Sequence, residues 1–225
     1  MRPLPLVNDK VNIRVSTHLV MKKTFLLVVV TAVAILSAGT NVYAQSNRDV
    51  RSAKKEAKIA AKELKKDKFE LLELGDLQSQ LEGYLIKVKG GMKQFVGVAD
   101  NCMSINLGQV TAVNNAANQY ATQSGGMVKG RITSNTSNIN GQQVDDIVAA
   151  YERLVLKEIK GEIQTSVTLV RKNKKNFDVR VYCLVDYDAA HAARMKAMRL
   201  ALEELELTQA YGSKVSDWID EGLKK

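Results

Sequence analysis

The chain has 225 residues and a formal net charge of +9 at pH 7, with two prolines and two cysteines. Two cysteines are too few for a disulfide framework, and so few prolines without a low-complexity linker argue against a second domain. The positive charge is local: residues 48–68 hold nine Lys/Arg against four Asp/Glu while residues 69–225 are formally neutral, which excludes the broad basic surface of a nucleic-acid binder.

Residues 21–44, MKKTFLLVVVTAVAILSAGTNVYA, read as a secretory signal. Lys22 and Lys23 precede an apolar run over residues 25–36, and Val42-Tyr43-Ala44 forms a small-residue site with cleavage between Ala44 and Gln45. The run falls short of the roughly 20 residues that cross a bilayer, and no second one follows, so no transmembrane span is expected in the mature chain. An uncleaved anchor is the weaker alternative. Residues 1–20 lie upstream of the signal and read as a spurious extension, with translation from Met21. Removing residues 1–44 takes away five basic side chains and one acid, leaving +5.

The mature chain is expected to divide into a basic helical arm with a short helix, residues 45–90, and one α+β domain, residues 91–225. Over residues 49–66, Ala53, Ala57, Ala60, Ala61 and Leu64 recur at helical spacing with Lys and Glu between them, a shallow apolar stripe able to dock only lightly. Gly75-Asp76 marks a turn and the start of a second helix over residues 76–86. Residues 94–99 form a strand, and residues 100–106 a polar connection. A helix follows with Leu107, Val110, Val113, Ala117, Tyr120, Ala121 and Ser124 on its inner face; Gly125-Gly126 ends it, and residues 127–135 form a weak strand.

Residues 143–160 carry the clearest helical pattern, with Val144, Ile147, Val148, Tyr151, Leu154, Val155 and Ile159 inward and Asp145 and Asp146 in the first turn. Residues 162–171 and 177–186 form a hairpin across residues 172–176. In its second strand Phe177, Val179, Val181, Cys183 and Val185 share one face, and Asp178, Arg180, Tyr182 and Asp186 the other, so one face of the sheet is expected buried and one largely wet. The helix over residues 189–207 has an apolar arc wide enough to need a flanking helix. Candidates are the segment after Asp76 or a terminal helix over residues 213–223 anchored by Trp218; on its outer side Arg199 and Glu203 are placed to pair. The fold class is therefore α+β: an antiparallel sheet of three to four strands packed against helices.

Catalytic patterns are not evident. His191, the one histidine outside residues 1–44, has no partner at metal-ligand spacing and reads as a solvated or capping residue; no cofactor is implied. Gly125-Gly126-Met127-Val128-Lys129-Gly130-Arg131 follows a helix instead of preceding one and offers no phosphate cradle. The pairs Asp145-Asp146 and Glu203-Glu204 diverge on a helix and make poor acid/base partners, and Asp186 and Asp188 read as helix caps. Cys102 and Cys183 form a candidate disulfide, with a buried thiol in a strand as the alternative for Cys183.

The run Ala53-Lys54-Lys55-Glu56-Ala57, through Phe69 and Leu77-Gln78-Ser79-Gln80-Leu81 to Tyr84, resembles secreted envelope proteins of the Bacteroides group. The later pattern is Ala116-Ala117-x-x-Tyr120-Ala121, a strand, a helix, the hairpin ending Val179-Arg180-Val181-Tyr182, and the alanine-rich helix from Ala189. It is similar to the Lpp-twenty lipoprotein-like domain. Together these cover most of the mature chain. The resemblance implies a sheet packed against helices, residence in the periplasm or at the outer membrane, and no catalytic residues to carry over. The chain departs from it in having no cysteine at the cleavage point, so no lipid tether is implied.

The expected function is a non-enzymatic, secreted cell-envelope protein acting by contact with a protein or an anionic envelope surface or polymer. The candidate contacts are Lys54, Lys55, Lys58, Lys62, Lys65 and Lys66. A periplasmic small-ligand carrier, with a cavity between the sheet and the helices starting near Gln143 and Ala189, is the alternative.

Overall fold

The computed structural model describes residues 47–136 and 139–220, all within one compact unit, Thr40–Lys225. The signal segment, its Ala44/Gln45 cleavage site and the upstream extension lie outside the described residues. The elements in chain order are α1 (Asn47–Lys66), β1 (Glu70–Leu71), α2 (Leu77–Lys89), β2 (Lys93–Cys102), α3 (Ile105–Asn135), α4 (Gly141–Ile159), β3 (Gln164–Asn173), β4 (Asn176–Val185), α5 (Tyr187–Glu204), α6 (Thr208–Tyr211) and α7 (Val215–Asp220). The class is α+β, and the four strands form one antiparallel sheet in the order β1-β3-β4-β2.

The sheet grows from the β3–β4 hairpin, whose residues pair from Asn173 with Asn176 down to Gln164 with Leu184. Lys174 turns the chain at φ 57°, a left-handed backbone more often given to glycine. β2 adds to the far side of β4, with Phe95 opposite Cys183 and Cys102 opposite Phe177 across a bulge after Ala99. Two residues of β1 cover part of the opposite edge, and the Glu73 carboxylate continues the ladder by accepting from the Thr168 N–H at 3.0 Å.

Both faces of the sheet are covered. Val179, Val181, Cys183 and Ala99 meet Ala112 and Ala116 of α3. On the other face Val167, Leu169, Tyr182 and Leu184 meet Ala57, Ala61 and Leu64 of α1 and Leu77, Leu81 and Tyr84 of α2. The expected wet face is thus corrected. Its alternation of Asp178 and Arg180 with apolar residues reads as solvent-facing, but Asp178 is 2% exposed, and the cover comes from the alanine stripe of the arm. Small alanines let α1 lie close, so a shallow stripe buries more than its volume suggests.

The second correction concerns α3. Gly125-Gly126 does not end it, and residues 127–135 are helix, giving 31 residues, about 46 Å of axis. Its buried side also changes halfway. Gly108, Ala112 and Ala116 face the sheet, whereas Tyr120, Ser124, Val128 and Ile132 face α4 and α5; at 100° per residue these sides differ by roughly 140°. A single stripe drawn through both halves wrongly places Leu107 and Val110 inside, and they are 50% and 61% exposed.

Glycines set how closely α3 rests on the sheet. A Cβ on Gly97 would stand 1.7 Å from the Ala112 carbonyl oxygen, and one on Gly108 would stand 2.5 Å from Val179 Cγ2. Asn115 Nδ2 donates to the Val98 carbonyl at 2.8 Å, tying the helix to β2.

Behind α3, α4 and α5 form a third layer. Ile147, Tyr151, Val155 and Ile159 pack with Ala190, Ala197, Met198 and Ala201. α4 begins at Asn140, whose side chain accepts from Gln143 N–H, and α5 begins at Asp186, which accepts from the N–H groups of Asp188 and Ala189. α5 is flanked by α4 and by α7, with Trp218 1% exposed and against Tyr211. The segment after Asp76 lies on the opposite face of the sheet. The charges of α5 pair across to α4, Arg153 with Glu204 and Lys196 with Glu158 at 2.7 Å, and no Arg199–Glu203 pair forms among the described residues.

Candidate functional site

α1 is helical because alanine and long straight side chains dominate it, with Asp49 in its first turn and Lys65 and Lys66 in its last complementing the helix dipole. Burial of Ala53, Ala57, Ala61 and Leu64 against α2 and the sheet fixes its rotation. At 100° per residue, Lys54, Lys65, Lys58, Arg51, Lys62, Lys55, Lys66 and Arg48 then fall, in that angular order, within about 120° of the outer surface. No acid lies within that arc. Asp49, Glu56 and Glu63, seven residues apart, share the flank beside it, where Glu56 receives Lys89 at 3.0 Å.

The linear mixture of Lys and Glu is therefore sorted by the helix into a basic strip about 27 Å long and an acidic flank. Lys54, Lys55, Lys58, Lys62, Lys65 and Lys66 are all exposed, and none is in an ion pair among the described residues. Ile59, 61% exposed, borders the strip. The structure brings all six candidate contacts onto one surface.

The candidate disulfide is not formed: Cys102 and Cys183 are both free. Cys102 pairs with Phe177, six residues along β4 from Cys183, a separation of roughly 20 Å at strand rise, and a disulfide needs Cα atoms within about 7 Å. Burial pushes the Cys183 thiol up to about 11. His191 is half-buried at the start of the second turn of α5. Among the described residues no group of three His, Cys, Asp or Glu could hold a metal ion, and no helix is long and apolar enough to cross a membrane. The Gly125–Arg131 run lies inside α3, and Asp145 pairs with Lys129 at 2.7 Å.

Two polar constellations carry no sequence motif. At the hairpin end, Asp178 accepts from the Asn101 N–H at 2.9 Å and from Arg171 Nε and Nη2 at 3.0 and 2.6 Å. Burial opposes ionisation of this carboxyl, but these donors and Asn173 outweigh it and hold it below the usual carboxylate range. The Arg171 and Arg180 guanidinium groups also lie over the Phe69 ring, at 4.7 and 4.2 Å from its centroid. This cluster clamps the α1–β1 connection to the sheet.

The second lies between α3, α4 and α5. Ser124 and Tyr151 share a 2.5 Å hydrogen bond, and Tyr120 OH donates to the Ala190 carbonyl and accepts from Arg194 Nη1, both at 3.4 Å. Arg194 is 3% exposed. Burial raises the Tyr120 and Tyr151 hydroxyls above their ordinary range. The only sequence signal for Arg194 is its place within the alanine stripe Ala190, Ala193, Ala197 and Ala201.

No family model, curated protein or solved structure matches this chain.

Proposed function

We propose that this is a non-enzymatic, secreted protein of the cell envelope, periplasmic or associated with the outer membrane, that acts by contact: the outer strip of α1 lies along an anionic envelope surface. The observation that supports it most is the sorting of α1, eight basic residues within about 120° and the acids outside that arc. Each basic residue near an anionic surface contributes about 1 kcal/mol, attenuated over a Debye length. Firm docking of the helix on α2 and the sheet holds the strip outward before contact, so its ordering cost is largely met in folding.

The carrier alternative finds less support, because Ile147, Tyr151, Val155, Ile159, Ala197 and Met198, all fully buried, occupy the interior around α4 and α5.

The test is sedimentation with vesicles containing an anionic lipid at low and high salt, comparing the wild type with the fourfold variant Lys54→Gln, Lys58→Gln, Lys62→Gln, Lys65→Gln. Wild-type binding should fall steeply with salt, and the variant should lose most of it while keeping its thermal midpoint. Salt-independent binding, or equal binding by the variant, would overturn the proposal.

A further inference from the structure

Ile59 is the one large apolar side chain on the outer side of α1, where it is 61% exposed. At 100° per residue it stands about 20° beyond Lys66, with Lys55 one turn before it and Lys62 one turn after. Glu56 and Glu63 lie on its other side, and Glu56 is taken by Lys89. Helix formation does not call for it, since a β-branched residue is a weaker helix former than the Ala, Lys and Glu around it. Leu74 is 98% exposed, the most of any large apolar residue described. The loop that carries it is tied down on both sides. Leu72 N–H donates to the Thr168 carbonyl at 2.9 Å and the Glu73 carboxylate accepts from the Thr168 N–H at 3.0 Å, while Asp76 accepts from the Ser79 N–H at 2.9 Å where α2 begins. The Ser79 N–H first, and the Lys65 charge also, hold the Asp76 carboxyl below its ordinary range, so this loop lies beside the C-terminal end of the basic strip.

A single exposed apolar residue is ordinary on a protein surface. Here two protrude separately, one from a helix crest and one from an anchored loop, and both adjoin lysines of the strip. A protein partner takes its apolar contacts as a packed central patch, which two separate projections do not make. An anionic polymer in water supplies charge but no apolar phase. A bilayer supplies both: phosphates for the cations, and an acyl boundary into which isolated side chains insert. The connection also carries the exposed Glu70, so charge there is mixed and the attraction comes from the strip. We infer that the anionic surface met by α1 is the headgroup region of a lipid bilayer, with the basic strip along the phosphates and Ile59 and Leu74 inserted at the acyl boundary. This rests on the contact reading of α1 and names the chemistry of its partner.

The experiment compares the wild type, the double variant Ile59→Gln, Leu74→Gln and the fourfold lysine variant in binding to phosphatidylglycerol/phosphatidylcholine vesicles and to soluble polyphosphate over a salt series. Both apolar positions are exposed, so the double variant should keep the wild-type thermal midpoint. It should partition onto the vesicles about tenfold less than the wild type at each salt concentration and bind polyphosphate equally well, whereas the fourfold variant should lose both. Equal vesicle binding by the wild type and the double variant, or wild-type binding to polyphosphate but not to vesicles, would overturn insertion and leave the strip's role standing. Absence of salt-sensitive wild-type binding to vesicles and polyphosphate alike would overturn the contact reading of α1 as well. Depth is read directly in a Leu74→Trp variant: bromine on the acyl chains should quench the added fluorescence, and not that of the buried Trp218 in the wild type. An unquenched Trp at position 74 would refute insertion there.

Discussion

Gly97 and Asp178 carry more of the structure than their sizes suggest. Gly97→Ala would drive a methyl into the Ala112 carbonyl, and a helix backbone cannot swing aside as a side chain can. We expect a loss of about 3 kcal/mol or more in chemical denaturation, whereas Gly125→Ala, whose nearest neighbours are atoms of the movable Glu152 side chain, should cost less than that. Asp178 has its carboxyl pKa lowered by folding, so its contribution is complete above the unfolded value near 4 and is lost as pH falls through the folded one. Asp178→Asn should cost roughly 2 kcal/mol at neutral pH and flatten the decline of the midpoint below about pH 4; an equally steep decline in the variant would exclude this source.

Among the elements, α3 offers the sharpest check. Gly126 and Gly130 sit in its exposed interior with nothing within 4 Å of an added Cβ, so Gly126→Ala and Gly130→Ala should each stabilise the protein by up to about 1 kcal/mol. A strand over residues 127–135 would give no such gain. The hairpin, α4 and the start of α2 were legible in the sequence because each shows one clean period and its own turn or cap: alternation through Val179, Val181 and Cys183, the 144-147-148-151 spacing, and Asp76. α3 was not, because its two halves bury different sides and its glycines resemble punctuation until the neighbouring chain they admit is seen. The candidate site was half legible. The basic residues of α1 could be counted, but whether they mix with or separate from the acids depends on which way the alanine stripe faces, and only packing fixes that. Arg194 and Asp178 were hidden because a charged residue in a sequence gives no sign of its burial.

For the molecule as a whole, the central position of β4 between β2 and β3, with side chains buried on both faces, makes it the last part to open. Amide exchange should be slowest at Val181, Tyr182 and Cys183, with the protons of α1 exchanging earlier; exchange in α1 as slow as in β4 would contradict this ordering. The arrangement of charge has a further result. With five net positive charges within residues 48–68 and a net of zero over residues 69–225, and with α1 on one side of the sheet and α3 to α5 on the other, the described part of the molecule is an electric dipole whose axis crosses its layers. On the contact proposed above, such a dipole feels a torque near a negative surface and turns α1 toward it before touching, which would leave α4 and α5 directed away from that surface.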